Sequence, residues 1–347
     1  MTRRQPPPGP PAEIDTRRPN PARVYDALLG GKDHYEVDRD AAEAILAAAP
    51  QARQGAKENR AFLQRAVRYL AQQGIRQFLD IGTGLPTQGN VHEVARQVAP
   101  DARVIYVDRD PVVYAHANAL LANNSPTTLA VLADLREPKA ILDHPQVRQL
   151  LDLTRPVGVL LVAVLHFVTD EENPSGIVAR LRDAMAPGSF LVVSHATGDF
   201  HPQAGAKVTQ VYQHASTPLV LRSREAIERF FDGFEQVPPG LVQPAAWRPD
   251  GGSAPGPSAG GFYSGVGRRS TRAADRRGSQ SAAESSAAPT GADDPRSPVR
   301  AFMPTRDLYI EGAVQPNRTN TAVAPTRTYD ERLPLGCRGR SVPRQGE

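Results

Sequence analysis

The spacing of apolar residues changes character near residue 75. Before that point it is helical: Asn20 offers an N-cap, Pro21 occupies the first helical position, and Gly30 with Gly31 ends the segment. Asp38 opens a second predicted helix that runs through Ala49 and stops at Pro50, and a third extends from Arg53 to Gln73, where Gly74 ends it. Beyond it, short apolar runs at 77–81, 103–107, 128–132, 157–164 and 189–193 are separated by helical stretches. Nearly continuous β-branched and aliphatic strands of this kind predict a parallel sheet covered by helices on both faces. Two later runs, 234–237 and 262–266, bring the total to seven strands. The predicted fold is α/β, a doubly wound seven-stranded sheet with an N-terminal helical cap.

Both ends of the chain lack this patterning. Residues 1–19 and 268–347 are dominated by Pro, Ser, Gly, Ala and Arg, a composition that buries too little apolar surface to offset chain entropy, so disordered termini are predicted. A Gly/Pro-rich insert at 250–261 reads as a loop. The expected plan is a disordered N-terminus at 1–19, a helical cap or lid at 20–74, a ligand-binding sheet domain at 75–267 and an Arg/Pro/Ser-rich tail at 268–347.

Charge narrows the function classes. Lys and Arg total 41 against 37 Asp and Glu, but residues 268–347 hold 14 Arg, no Lys and 9 acids, which leaves the preceding 267 residues at net −1. A phosphate-tracking surface needs clustered positive charge, so no nucleic acid is expected in the core. Arginine outnumbers lysine 37 to 4, which suggests a GC-rich coding sequence and not a selected phosphate binder in the tail. A single cysteine, Cys337, excludes an intrachain disulfide framework and a thiolate zinc site, and the histidines show no ligand spacing, so no metal is predicted. The chain lacks both a secretory apolar run at its start and eighteen consecutive apolar residues, which predicts a cytoplasmic protein without membrane attachment.

In doubly wound sheets ligands bind beyond the carboxyl ends of the strands, where strand order reverses. The first strand leads into Asp80-Ile81-Gly82-Thr83-Gly84-Leu85-Pro86, whose glycines allow a tight turn and close approach to a ligand. The second delivers Asp108, 24 residues after Gly84, where a carboxylate can accept both hydroxyl protons of a ribose. Asp134, after the third, suits the exocyclic amine of a purine. Together the three strand ends fit an adenosine. The dinucleotide pattern Gly-x-Gly-x-x-Gly fails, because Thr87 stands three places after Gly84 and Gly89 comes two places late, and a P-loop is absent. A ligand without phosphates fits better, namely S-adenosylmethionine, with Asp80 placed for the methionine amine directly or through water. Plainer roles exist: Asp80, Gly82 and Gly84 as an ordinary turn, Asp108 or the better-placed Asp110 as a helix cap, and Asp134 as a turn starter.

The runs Asn20-Pro21-Ala22-Arg23-Val24-Tyr25-Asp26, Leu29-Gly30-Gly31-Lys32-Asp33, Glu58-Asn59-Arg60-Ala61-Phe62 and Phe78-Leu79-Asp80-Ile81-Gly82-Thr83-Gly84-Leu85-Pro86-Thr87 resemble the bacterial S-adenosyl methyltransferase family, once catalogued only as a domain of unknown function. Later stretches agree, among them Val107-Asp108-Arg109-Asp110-Pro111 and Leu161-Val162-Ala163-Val164-Leu165-His166-Phe167. The resemblance covers roughly residues 14–268 and implies a class I methyltransferase, Rossmann-like sheet that binds S-adenosylmethionine. The chain departs from the broader class pattern by placing Pro86 where a third glycine stands, which stiffens the loop.

Further site expectations follow. The resemblance assigns Tyr25 and Lys32 to cofactor or substrate contact, against a plain amphipathic helix with a glycine C-cap. Arg60, beside Asn59, could grip the cofactor's carboxylate through a bidentate pair, or stand on a solvated face. Leu165 could touch the adenine or methionine part, and His166 could remove a proton from an attacking oxygen or nitrogen, although a packed histidine is the commoner fate. His195 and Asp199 are weaker candidates of the same kind. The expected enzyme moves a methyl group by in-line displacement to an unidentified small-molecule acceptor, held between the N-terminal helices and residues 197–218, with positioning supplying much of the rate. Alternatives are a non-catalytic S-adenosylmethionine-binding regulatory module and a nicotinamide oxidoreductase. A homo-oligomer is compatible with the sequence.

Overall fold

The computed structural model describes residues 14–86, 89–121, 126–251 and 260–270. Three helices come first: α1 (Pro21–Leu29), α2 (Glu36–Ala48) and α3 (Ala52–Gln72). Then β1 (Gln77–Ile81), α4 (Val91–Val98), β2 (Arg103–Asp108), α5 (Pro111–Leu121), β3 (Thr128–Leu132), α6 (Pro138–Leu142), α7 (Pro145–Leu150) and β4 (Gly158–Val162) alternate along the chain. The last elements are α8 (Pro174–Ala184), β5 (Phe190–Ala196), α9 (Pro202–Tyr212), α10 (Arg224–Glu228), β6 (Phe234–Gln236) and β7 (Phe262–Arg269). The seven strands form one sheet in the order β3-β2-β1-β4-β5-β7-β6, so strand order reverses between β1 and β4. A crevice therefore opens beyond the tips of these two strands.

The sheet is mixed, not wholly parallel. Strands β1 to β5 run parallel, whereas β7 inserts antiparallel between β5 and β6. It also continues past the predicted tail boundary: the Arg269 N–H donates to Ser189 O at 2.7 Å, and Arg269 O accepts from Gly188 N–H at 2.9 Å. Arg268 and Arg269 thus belong to the sheet. Residues 1–13 and 271–347, on which most of the predicted disorder falls, lie outside the described residues, as do Thr87 and most of the 250–261 insert.

Helix α1 forms where its caps predict. The Asn20 side chain accepts the Ala22 N–H at 2.9 Å, and Gly30 adopts φ 82° at the carboxyl end. Gly31 lies against the Asp26 carboxylate so closely that a Cβ would fall 1.9 Å from Asp26 Oδ1. The left-handed cap conformation at Gly30 and the close packing at Gly31 account for this glycine pair. Helix α2 begins at Glu36, two residues before the predicted start, because Asp38 acts from inside the first turn. Its buried carboxylate accepts the N–H groups of Tyr35 at 2.9 Å and Asn20 at 2.8 Å and pairs with Arg23 at 3.6 Å.

Side chains of each central strand alternate between two cores, as strand geometry requires. Leu79, Ile81, Ile105, Val107, Val159 and Leu161 face one, with Ile141, Val147, Ile177 and Leu181 from the helices. Phe78, Val104, Tyr106, Leu160 and Val192 face the other, packed against Phe62, Val67 and Leu70 of α3 and against Trp247. Helix α3 is therefore part of the sheet's own core as well as of the cap. Trp247 is fully buried, with its ring edge-on to Phe62 at 5.4 Å and Tyr69 at 5.8 Å, while Arg65 donates to the carbonyls of Trp247 at 2.9 Å and Pro244 at 2.6 Å. A smaller cluster of Val24, Leu28, Ile45, Ala56, Tyr212 and Leu219 joins α1, α2 and α3 to α9 over the strand tips. Among the described residues no helix is long and apolar enough to cross a membrane.

Trp247→Ala removes the largest fully buried side chain and is expected to lower stability by about 3–5 kcal/mol. Urea unfolding followed by far-ultraviolet circular dichroism checks this; an unchanged midpoint contradicts the packing described.

Candidate functional site

A cavity of about 240 Å³ lies beyond the tips of β1, β2 and β4, roofed by the N-terminal helices and α9. Its floor is the turn after β1. Gly82 donates its N–H to Val107 O at 2.7 Å with φ 74°, and a Cβ there would lie 2.3 Å from Val164 Cγ2, so only glycine fits between the two strand tips. Gly84, at φ 66°, faces open space instead. The Gly84 N–H donates to Asp108 Oδ2 at 2.9 Å, and the Asp110 N–H donates to Asp108 Oδ1 at 2.9 Å. The Arg109 N–H also approaches this carboxylate, and of its roughly four lone-pair sites at least one remains for a donor in the cavity. Asp110 caps α5, as expected, by accepting the Val112 N–H at 2.7 Å.

Burial pushes the Asp108 carboxyl up to about 6, against the opposing pull of the Asp110 and Gly84 N–H groups. Asp80 is also buried and is pushed up to about 6 by desolvation, with the Thr83 hydroxyl, donating at 2.9 Å, and the Arg60 charge opposing and the Asp108 charge reinforcing it.

Asp134 reaches the wall already engaged. Oδ1 accepts the Arg136 N–H at 3.0 Å and Nη1 at 3.1 Å, and Arg109 lies 3.4 Å from Oδ2. Burial opposes ionisation, but the Arg136 N–H and the guanidinium charges outweigh it and hold this carboxyl below its usual range. The turn-starting role predicted as the plainer alternative is the one its hydrogen bonds display. Arg136 also donates to Phe167 O at 2.8 Å, and Arg109 donates to Thr217, so the two arginines tie the tips of β2 and β3 to the far rim.

From the roof, Tyr25 donates its hydroxyl to Ala56 O at 3.0 Å and accepts from Asn59 Nδ2 at 3.0 Å. Burial, outweighing the Asn59 hydrogen bond and the Arg60 charge, raises the Tyr25 hydroxyl above its ordinary value. Asn59 is only 1% exposed, and its Oδ1 is a buried acceptor with no partner; Arg60 Nε is a buried donor in the same condition. Buried polar atoms are nearly always satisfied, and these two belong to residues on the cavity wall, unlike Trp247 Nε1 and Arg23 Nε, which are in the same condition elsewhere. Lys32, by contrast, is exposed and does not line the cavity. Leu165 is buried in the core beneath the wall and presents no side chain to the cavity.

His166 lines the cavity at 4% exposure. The Ala196 N–H donates to its Nδ1 at 3.2 Å, so the ring proton sits on Nε2. Burial, then the neighbouring His195 and Arg222, drives its pKa well below the ordinary histidine value. A neutral imidazole in this tautomer presents a hydrogen-bond donor at Nε2. His195 lies off the cavity wall: Nδ1–H donates to Ala196 O at 2.7 Å, Nε2 accepts from Arg222 Nη1 at 2.9 Å, and burial with the Arg222 charge brings its pKa down to about 3. Asp199 accepts the Arg224 N–H at 2.9 Å and also lies off the wall. The predicted pocket region 197–218 contributes seven residues to the cavity wall, among them Thr197, His201, Val208, Tyr212 and Thr217. Tyr212, Phe262, Arg136 and Arg222 were not singled out by sequence. Only Tyr212 and Phe262 carried a signal, lying within the predicted pocket region and a predicted strand.

Residues 8–270 match the family described as S-adenosyl methyltransferase. A DUF574 family protein from Streptomyces avermitilis is 44% identical, with 74% of this chain and 100% of that chain covered and a TM-score of 0.71. A Thermobifida fusca protein proposed to be a methyltransferase is also 44% identical, with 76% and 99% covered and a TM-score of 0.71. Comparison with curated proteins finds no match.

Because the Asp80 and Asp108 carboxyls are raised from 3.8 to about 6, the folded chain binds more protons than the unfolded chain between these values. Their contribution is fully present below pH ~4 and is lost as pH rises through about 6. Asp108→Asn is expected to shrink that loss by on the order of 2 kcal/mol, read as urea stability at either end of the window. An identical pH slope in wild type and variant contradicts the assignment.

Proposed function

The chain belongs to the S-adenosyl methyltransferase family, whose cofactor is S-adenosylmethionine, and we propose that it holds this cofactor across the strand tips and methylates a small-molecule acceptor under the helical roof. The observation that carries the proposal is Asp108: a half-buried carboxylate on the cavity wall, held by the main-chain N–H groups of Gly84 and Asp110 and keeping acceptor capacity for a donor in the cavity. A ribose diol supplies two matching donors. Gly84 leaves the space beside it open, and Arg60 Nε and Asn59 Oδ1 offer an unspent donor and acceptor for a carboxylate and an ammonium. Asp80 adds negative charge on the ammonium side, and Tyr25 fixes the Asn59 amide. Asp134 borders the same space with its oxygens occupied by arginine.

When bound, S-adenosylmethionine supplies an electrophilic methyl group on a sulfonium. The chain's own residues position the acceptor and exclude water. His166 is held neutral with its proton on Nε2, so it donates a hydrogen bond to the acceptor and does not deprotonate it. Positioning against the methyl carbon then supplies the main part of the rate. The small-molecule assignment is supported by a roofed cavity and a core without clustered positive charge.

Calorimetric titration with S-adenosylhomocysteine tests the site. Asp108→Asn is expected to weaken binding about 10- to 100-fold, since charge-assisted hydrogen bonds are each worth roughly 1.5–3 kcal/mol. Wild-type affinity is expected to fall as pH drops through about 6, because protonation turns one carboxyl oxygen into a donor and removes the charge that strengthens both bonds from the diol. Unchanged affinity in both experiments overturns the assignment, and labelled-cofactor incubation with cell extract should yield a defined methylated small molecule.

A further inference from the structure

Charge is divided unevenly around the cavity. Among the described wall residues the charged ones are Arg60 on α3 and six at or just after the carboxyl ends of the strands: Asp80, Asp108, Arg109, Asp110, Asp134 and Arg136. The opposite side, from α1, α2, α9 and β7, offers Leu28, Ile45, Val208, Tyr212 and Phe262, with His201 exposed at the rim. A charged molecule seated there would lose its hydration among uncharged side chains, at a cost of several kcal/mol, since Arg136, which reaches this side at Phe167 O, is already paired with Asp134 and Glu172.

Four rings form a continuous surface on this side. His166 lies 4.4 Å from Phe167 and 6.0 Å from Phe262 between centroids, and Phe167 lies 5.4 Å from Tyr212. Such a surface suits a flat ring system. Two polar atoms on it are unspent. His166 Nε2–H has no partner among the described residues, since only Nδ1 is engaged, and the Tyr212 hydroxyl has none either. Burial keeps that hydroxyl protonated by raising it above the ordinary tyrosine value, and His166 is held neutral as described.

We propose that the acceptor is an uncharged, flat, largely apolar molecule that presents a carbonyl or phenolic oxygen to His166 Nε2–H and Tyr212 Oη–H. This inference deepens, and rests on, the preceding assignment of the cavity to a cofactor and an acceptor. His166 and Tyr212 act as positioning and specificity groups: two neutral donors fix one oxygen and thereby the ring plane.

Three probes of one size test it on the full chain saturated with S-adenosylhomocysteine near neutral pH: 2-naphthol, 2-naphthoate and 2-naphthylmethylammonium. By ligand-detected nuclear magnetic resonance, 2-naphthol is expected to bind at least about tenfold more tightly than either ion, equivalent to 1.4 kcal/mol or more. Tyr212→Phe and His166→Phe are each expected to weaken 2-naphthol about fivefold, the value of one hydrogen bond, and to leave S-adenosylhomocysteine affinity unchanged. Should His166→Phe fail to fold, Tyr212→Phe decides. Equal or tighter binding of an ion, no binding by any probe, or an unaltered 2-naphthol affinity in the variants overturns the inference. Failure of S-adenosylhomocysteine to bind while the 2-naphthol preference persists without it overturns the cofactor assignment and leaves this one standing.

Discussion

One half-buried carboxylate ties the tips of β1 and β2 together. Asp108 holds the Gly84 N–H with one oxygen and the Asp110 N–H with the other, and so sets both the turn after β1 and the entry into α5. The arrangement keeps a negative charge out of water, which raises its proton affinity, and the cost is tolerated because two main-chain donors and a ligand-facing space surround it. Gly82 completes the constraint from the other side by letting the β4 tip, through Val164, close against the turn. The reversal of strand order between β1 and β4 is what leaves a crevice at this point.

The cavity built on that constraint is electrostatically two-sided. Strand tips, where main-chain N–H groups and turn-forming acids concentrate, provide the charged side proposed to hold the cofactor. The helical roof and β7 provide an uncharged, ring-lined side. Arg109 and Arg136 bridge the two by pairing with Asp134 and reaching Thr217 and Phe167 O. Arg222, deep behind the wall, donates to Leu165 O, Val168 O and His195, which anchors the 217–222 segment against β5.

Much of the fold was legible because buried central strands are apolar at nearly every position, and because Asn20, Pro21 and Gly30 are unambiguous helix punctuation. The Asp80–Gly84 turn and Asp108 were legible from spacing alone. What escaped depends on partners distant in the chain. Strand β7 takes its antiparallel direction from pairing with β5, Asp38 works inside α2 because Asn20 and Arg23 approach it, and Asp134 is occupied by arginines on either side. The state of His166 is set by a main-chain N–H from the neighbouring strand, at Ala196, and no local pattern announces it. Lys32 looked like a contact by resemblance, but the turn that follows Gly31 leaves it on the surface.

The most direct test of the account is a crystal structure of the chain with S-adenosylhomocysteine. Both ribose hydroxyls are expected on the Asp108 carboxylate, the amino acid end at Asn59 and Arg60, and the sulfur directed toward the His166 and Tyr212 wall. A nucleoside bound elsewhere, or an Asp108 carboxylate that keeps only its main-chain donors while the ligand occupies the cavity, would contradict it.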